Sequence, residues 1–148
     1  MKDLQYLLDR REIEDLLVAY CNAIDLHDWD ALDEIFAIDA EIDYTALGGP
    51  KDNLQAIKLF LDASLPGFKH KQHIITNMQI TLAGDKATGR TCCINPMGMP
   101  EGEGVRNLVF WLWYIDDFVK TEKGWRIKKR REEFSHADNL PEGFVNPG

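Results

Sequence analysis

Ile13, Leu16, Leu17, Tyr20 and Ile24 recur at spacings of three and four, so residues 9–27 predict one amphipathic helix with a single apolar stripe. Arg10, Glu12, Asp15 and Asn22 fall off the stripe, and Asp25 lies at its edge, one turn beyond Cys21. Asp28-Trp29-Asp30 breaks the pattern, and Asp28 or Asp30 suits the cap of a short helix over 31–36. Residues 40–46 alternate, with Ile42 and Tyr44 on one face of a predicted strand. Gly48-Gly49-Pro50 is a turn signal, and no Gly-Lys-Ser/Thr follows it, so a phosphate loop is not supported. Leu54, Ile57, Leu61 and Leu65 predict a second helix over 53–65, with Asp52 as its cap and Pro66-Gly67 as its end.

The period then changes to two. Strands are predicted over 72–82 and 86–95, joined at Ala83-Gly84-Asp85. Residues 96–102, with two prolines and two glycines, read as a loop. The strand over 105–121 is apolar on both faces in its middle. Val109, Trp111, Trp113 and Ile115 oppose Phe110, Leu112, Tyr114 and Phe118. Such a strand lies between a core and a second covering layer. A turn at Glu122-Lys123-Gly124 leads to a strand over 125–134, and 136–148 reads as an ordered tail or lid. Helices first, then strands joined by short turns, give the α+β class. A curved sheet on one side of helices leaves a cone whose mouth can hold a small ligand.

Composition narrows the partners. At 148 residues and 45% hydrophobic, the chain is one domain with a sizeable core. A net charge of -8 argues against nucleic acid or an anionic membrane as partner. The one basic run, Lys128 to Arg131, is followed at once by Glu132 and Glu133, and reads as a solvated or functional strand end. There is no apolar leader and no stretch long enough to span a bilayer. Cys21, Cys92 and Cys93 make no disulfide framework, which suggests a reducing cytoplasm. Neighbouring strand residues point apart, so Cys92 and Cys93 are a poor metal pair, and His70-x-x-His73 has no third ligand in view. No cofactor motif and no metal site is read.

The candidate chemistry is carried by a few polar residues in apolar company. His73, Ile75, Asn77 and Gln79 share strand parity, so His73 and Asn77 are expected to face the same way, toward a pocket or toward solvent. Asp25 opposes the negative end of its helix dipole. That hints at a role, against a plain surface ion pair. Tyr20 lies within the apolar stripe, as a core residue with a satisfied hydroxyl or as a donor to a ligand. Asp116 shares the parity of Phe110, Leu112, Tyr114 and Phe118, where an unpaired carboxylate is costly. Arg130, of opposite parity to Trp125 and Ile127, is its candidate partner, in a structural ion pair or in a catalytic role.

These residues, taken in order, resemble the SnoaL-like branch of the nuclear transport factor 2-like superfamily. The resemblance rests on Tyr20-x4-Asp25, on Asp28-Trp29-Asp30-Ala31-Leu32 leading to Phe36, and on His73-Ile74-Ile75-Thr76-Asn77. Tyr114-Ile115-Asp116 and Gly124-Trp125-Arg126-Ile127 running to Arg130 complete it. It implies a cone-shaped sheet, curved and mixed or antiparallel, around N-terminal helices. The whole chain 1–148 would be one such domain, with a core over 7–134 and a tail or lid over 135–148. Scytalone dehydratase, bile acid 7α-dehydratase and hexachlorocyclohexane dehydrochlorinase belong to that branch, and remove water or HCl with an Asp-supported histidine and no cofactor. By resemblance, Asp25 is the orienting carboxylate, His73 the catalytic histidine and Tyr20 the tyrosine of the hydroxysteroid-type dehydratases. The dehydrochlorinase has lysine at that last position. Asp116 and Arg130 resemble pocket-lining positions, and Asn77 and Tyr44 complete the substrate-binding candidates.

The expectation is therefore a cofactor-independent lyase or isomerase acting on a hydrophobic cyclic hydroxy or keto compound, in a homo-oligomer of two or three chains. Two other readings share the fold: a ligand-binding or assembly module without catalysis, and a small structural subunit of an aromatic-ring dioxygenase. Contact between Asp25 and His73 inside an enclosed site is what separates the first reading from the others.

Overall fold

In the computed structural model, which describes residues 3–144, the first helix, α1, spans Leu4–Leu26. It starts earlier than the stripe alone predicts because the Asp3 side chain accepts the Tyr6 N–H at 2.9 Å. It ends where His27 takes the left-handed conformation, φ 57°, and its N–H reaches the carbonyls of Ala23 and Ile24. Asp9, taken from sequence as the helix start, lies inside α1. It accepts from Lys120 at 2.7 Å, from the Trp125 indole at 3.0 Å and from Gln5 at 3.1 Å. One carboxylate thus ties the start of α1 to two strands more than a hundred residues away.

The short helix expected over 31–36 is a 3₁₀ turn, Asp30–Glu34. Phe36 instead opens strand β1 (Phe36–Asp43), because it pairs in parallel with Ile127. Tyr44 lies just beyond β1 and stays buried. A short β2 (Lys51–Asn53) precedes α2 (Leu54–Ser64). Asn53, not Asp52, caps α2, accepting the Ala56 N–H at 3.0 Å.

The strand expected over 72–82 is two pieces, β3 (His70–Lys71) and β4 (Ile74–Ala83), with His73 at the break. The loop expected over 96–102 is instead strand. β5 runs Lys86–Glu101 and pairs with β6 (Gly104–Thr121) to its last residue. Pro96 is tolerated for a simple reason. Pro96 turns its carbonyl toward Gln72, which donates to it at 3.1 Å. Its ring nitrogen therefore faces the same sparsely paired side, where the missing N–H costs no β6 ladder bond. β7 spans Gly124–Asp138, so 136–138 belong to the sheet rather than to a tail. Beyond β7, Phe144 lies against Phe110 with ring centroids 6.1 Å apart, and 145–148 fall outside the described residues.

The sheet order is β2-β1-β7-β6-β5-β3, with β4 also paired to β5. The β1–β7 pair is parallel and the rest are antiparallel, so the sheet is mixed. It curves around α1 without closing, an α+β cone. Leu108, Phe110, Leu112, Tyr114 and Phe118 of β6 face the interior and are buried. There they meet Ile13, Leu17, Tyr20 and Ile24 of α1 in one core. Burying side chains of this size stabilises the fold by roughly 1.5–3 kcal/mol each. The alternate row Val109, Trp111, Trp113 and Ile115 is half-buried on the outer face. A bulge in β7, where Asp117 pairs Lys129 while Phe118 pairs Ile127, inserts one residue. It returns Arg130 to the same inner face as Trp125 and Ile127, against its parity in the sequence.

Candidate functional site

His73 sits between β3 and β4, opposite the last turn of α1. Its ring nitrogen Nδ1 lies 2.6 Å from Asp25 Oδ1, and its backbone N–H donates to Asp25 Oδ2 at 2.9 Å. Both carboxylate oxygens are used, so the ring is fixed relative to its own backbone. A carboxylate can only accept, so Nδ1 carries the hydrogen, and in the neutral ring the lone pair is on Nε2. Nε2 has no hydrogen-bond partner among the described residues. The side chains are shielded but not sealed, 6% exposed for His73 and 21% for Asp25. The helix end explains the placement: Ile24 packs inward, and Asp25, one residue on, is turned toward the β3–β4 break.

Tyr20, one turn back along α1, presents its ring edge to His73 at 6.4 Å between centroids. Its hydroxyl is 2.6 Å from that of Tyr44. Burial raises the pKa of both phenols, and the Arg130 charge offsets part of it. Both therefore stay neutral and can donate.

Behind this pair, Arg130 is fully buried and forks Asp116 with bonds of 2.8 and 2.7 Å. Its guanidinium lies 4.1 Å from the ring centroids of both Tyr20 and Tyr114. Burial opposes the charge, yet Asp116 and the surrounding rings hold the Arg130 pKa well above its ordinary value. The Arg130–Asp116 pair expected from sequence is thus a buried ion pair, stacked against the catalytic candidate Tyr20. Arg130 Nη1 has no partner.

Asn77 does not join this group. The shared parity with His73 fails because β4 carries a register shift between Thr76 and Gln79. Asn77 takes φ 51° there, is exposed, and accepts from Thr76 Oγ1 at 3.0 Å. It is a bulge residue rather than a lining one.

Glu132 joins it without having been singled out. It is in register with Tyr114, on the same inner face as Arg130. Part of the residue remains accessible, but Oε2 is enclosed and has no partner. Burial pushes its carboxyl up to about 8, with Arg130 pulling down and Asp43 adding to the rise. The two-residue spacing from Arg130 was the sequence signal for it. The run of charges from Lys128 to Glu133 hid that signal, because such a run reads as a solvated strand end.

A concavity of about 1080 Å³ lies elsewhere, lined by Phe36, Ile38, Leu54, Ala87 and Phe118 among others. Among the described residues there is no group of three or more His, Cys, Asp or Glu able to hold a metal. The same residues include no helix long and apolar enough to cross a membrane.

The sequence pattern of the SnoaL-like domain matches residues 5–131. The chain belongs to the SnoaL-like domain family. Rv2910c of Mycobacterium tuberculosis (strain H37Rv), an uncharacterized protein, is 42% identical over 132 residues, covering 89% of each chain. Among solved structures, Kfla4162 of Kribbella flavida is 26% identical, covers 89% of this chain and 94% of its own, and superposes with a TM-score of 0.82. The hexachlorocyclohexane dehydrochlorinase LinA-type3 of Novosphingobium barchaimii is 21% identical, with coverage of 95% and 96% and a TM-score of 0.79. At that identity the likeness concerns the fold.

Proposed function

We propose that this SnoaL-like protein is a cofactor-independent lyase that eliminates water from a hydrophobic cyclic hydroxy-carbonyl compound. The observation that carries the reading is the 2.6 Å contact between Asp25 Oδ1 and His73 Nδ1, with the second carboxylate oxygen on the His73 backbone. This leaves Nε2 as a fixed acceptor for a proton on carbon next to a carbonyl. Tyr20 donates a hydrogen bond to the carbonyl or the leaving oxygen, and Tyr44 orients Tyr20 through the 2.6 Å hydroxyl contact. Arg130 and Asp116 hold the Tyr20 ring from beneath. The same base and donor serve an isomerase, in which the proton returns to a different carbon. The dehydrochlorinase named among the similar structures is itself an elimination enzyme, which supports this class. The test is turnover of cyclic hydroxy-ketones by the wild-type protein and by His73→Ala. Loss of turnover in the variant is expected, and unchanged turnover overturns the assignment.

A second reading has its own observation. The 1080 Å³ concavity is lined without Tyr20, Asp25 or His73, which favours a ligand-binding or assembly module. In that case ligands bind the protein but are recovered unchanged. The half-buried outer row of Trp111 and Trp113 suits a second copy of the chain, giving a dimer or trimer, or the partner chain of a ring dioxygenase. Sedimentation of the isolated protein separates these: a homo-oligomer sediments as such without any other chain. The three free cysteines fit a cytoplasmic protein.

A further inference from the structure

Glu132 is a buried group that the chemistry above leaves unused. It lies on the inner face of β7, two residues from Arg130 and in register with Tyr114. Oε2 is enclosed and bonded to nothing. Burial raises the pKa of Tyr20, Tyr44 and Tyr114, and the Glu132 charge is among the smaller contributions that add to the rise, which is consistent with its place on their inner face. An enclosed polar atom without a partner is costly, and proteins rarely keep one that nothing fills. Arg130, two residues away on that face, spends two nitrogens on Asp116, and its third, Nη1, is enclosed and unbonded like Glu132 Oε2.

We propose that Glu132 is the proton donor of this site, a carboxylic acid that delivers its proton to the departing hydroxyl of a β-hydroxy carbonyl substrate. The inference rests on the His73–Asp25 reading and names the substrate class for it. His73 Nε2 takes the proton from carbon, and that C–H electron pair becomes the new C=C bond. The C–O bond breaks with its pair going to oxygen, which takes the Glu132 proton and leaves as water. Glu132 is left as carboxylate and His73 as imidazolium, and proton transfer from the second to the first through solvent restores both. No oxidant or reductant is needed. The chemistry also sorts leaving groups. Chloride departs as a stable anion without a proton, whereas hydroxide is a poor leaving group until protonated. Burial keeps the carboxyl protonated at neutral pH, with its pKa at about 8, which matches the second case.

The experiment is carboxyl-carbon NMR of the full chain labelled at glutamate, titrated with and without tetralol, a bicyclic alcohol that carries the hydroxyl but no acidified C–H. The Glu132 signal is the one lost in Glu132→Gln. The expected result is a midpoint near 8 and a shift of that signal when tetralol is added. A midpoint near 4.5, the ordinary glutamate value, overturns the proposal. The His73 ring signals are followed in the same samples. Tetralol shifting His73 but not Glu132 overturns the proton donor and leaves the dyad standing. Shifts at Glu132 alone support the hydroxyl contact and count against the dyad chemistry. Shifts at neither overturn both.

Discussion

The Asp25 carboxylate holds His73 at two points, ring nitrogen and backbone nitrogen, through 2.6 and 2.9 Å contacts made by different oxygens. Ring orientation is therefore coupled to the break between β3 and β4. Asp25→Asn keeps one acceptor oxygen and adds an N–H group, which favours the other tautomer of His73. On a hydroxy-ketone substrate, activity is expected to fall by about 10²–10⁴-fold. Ring-nitrogen NMR of His73 should report hydrogen on Nδ1 in the wild type and a changed tautomer in the variant.

Arg130 and Asp116 are both fully buried, with side chains at 0% exposure. Arg130→Leu leaves a lone buried carboxylate, and Asp116→Leu a lone buried guanidinium. Each is expected to cost roughly 3–5 kcal/mol in urea unfolding, and the double variant less than the sum. Arg130→Lys will not rescue, because an ammonium can neither fork Asp116 nor stack between Tyr20 and Tyr114. Additive losses would show that the two act independently.

Tyr20 and Tyr44 share one hydrogen bond of 2.6 Å in a buried setting. Tyr20→Phe or Tyr44→Phe alone strands a hydroxyl and is expected to cost about 1–2 kcal/mol, whereas the double change costs little more than either. A double-mutant cycle by thermal unfolding measures the coupling. Activity should fall further with Tyr20→Phe than with Tyr44→Phe, since Tyr20 is the donor to substrate.

Glu132 gives a pH dependence with a definite sign. In the unfolded chain its proton leaves near 4.5, while in the folded protein burial holds it to about 8. Between these values the unfolded state binds fewer protons, so the contribution of this group to stability declines as pH rises, then levels off above 8. Glu132→Gln should remove that decline and raise stability at alkaline pH relative to wild type, by roughly 1–4 kcal/mol. Unfolding midpoints at a series of pH values from acid to alkaline check it. A parallel offset across the whole range would contradict the assignment.

Asp9 carries the opposite sign. Bonds from Lys120 and Trp125 hold its carboxyl below the usual range. Its stabilisation is present above pH 4 or so and is lost as pH falls through its folded pKa. Asp9→Ala, which also leaves the Trp125 indole N–H without an acceptor, should destabilise by about 1–3 kcal/mol at neutral pH. It should narrow the difference from wild type in strong acid.

Most of the elements were legible because their signals are local. The spacing of Ile13, Leu17, Tyr20 and Ile24 specifies α1 and its buried face whatever it packs against. Alternation in Leu108 to Phe118 does the same for β6. Where the reading failed, a neighbour in space decided. Residues 96–102 looked like a loop because proline and glycine are turn signals, but β6 supplies a full ladder on one side of β5. Phe36 looked like the end of a helix, but its partner is Ile127, ninety-one positions away.

The site divides in the same manner. Residue types and order pointed to Tyr20, Asp25 and His73 as the chemistry, and to Arg130 as the partner of Asp116. Parity did not survive the bulges. One at Asn77 removed a lining candidate, and one in β7 brought Arg130 and with it Glu132 to the inner face. A β-bulge adds one residue to one strand and reverses every side chain beyond it. Nothing in the local sequence of Lys128 to Glu133 announces that extra residue, which shows only in the register of β7 against β6. The amino-acid pattern by itself determined the helices, the strands and the reactive groups. Tertiary pairing decided which of those groups face one another, since only the assembled sheet sets the register.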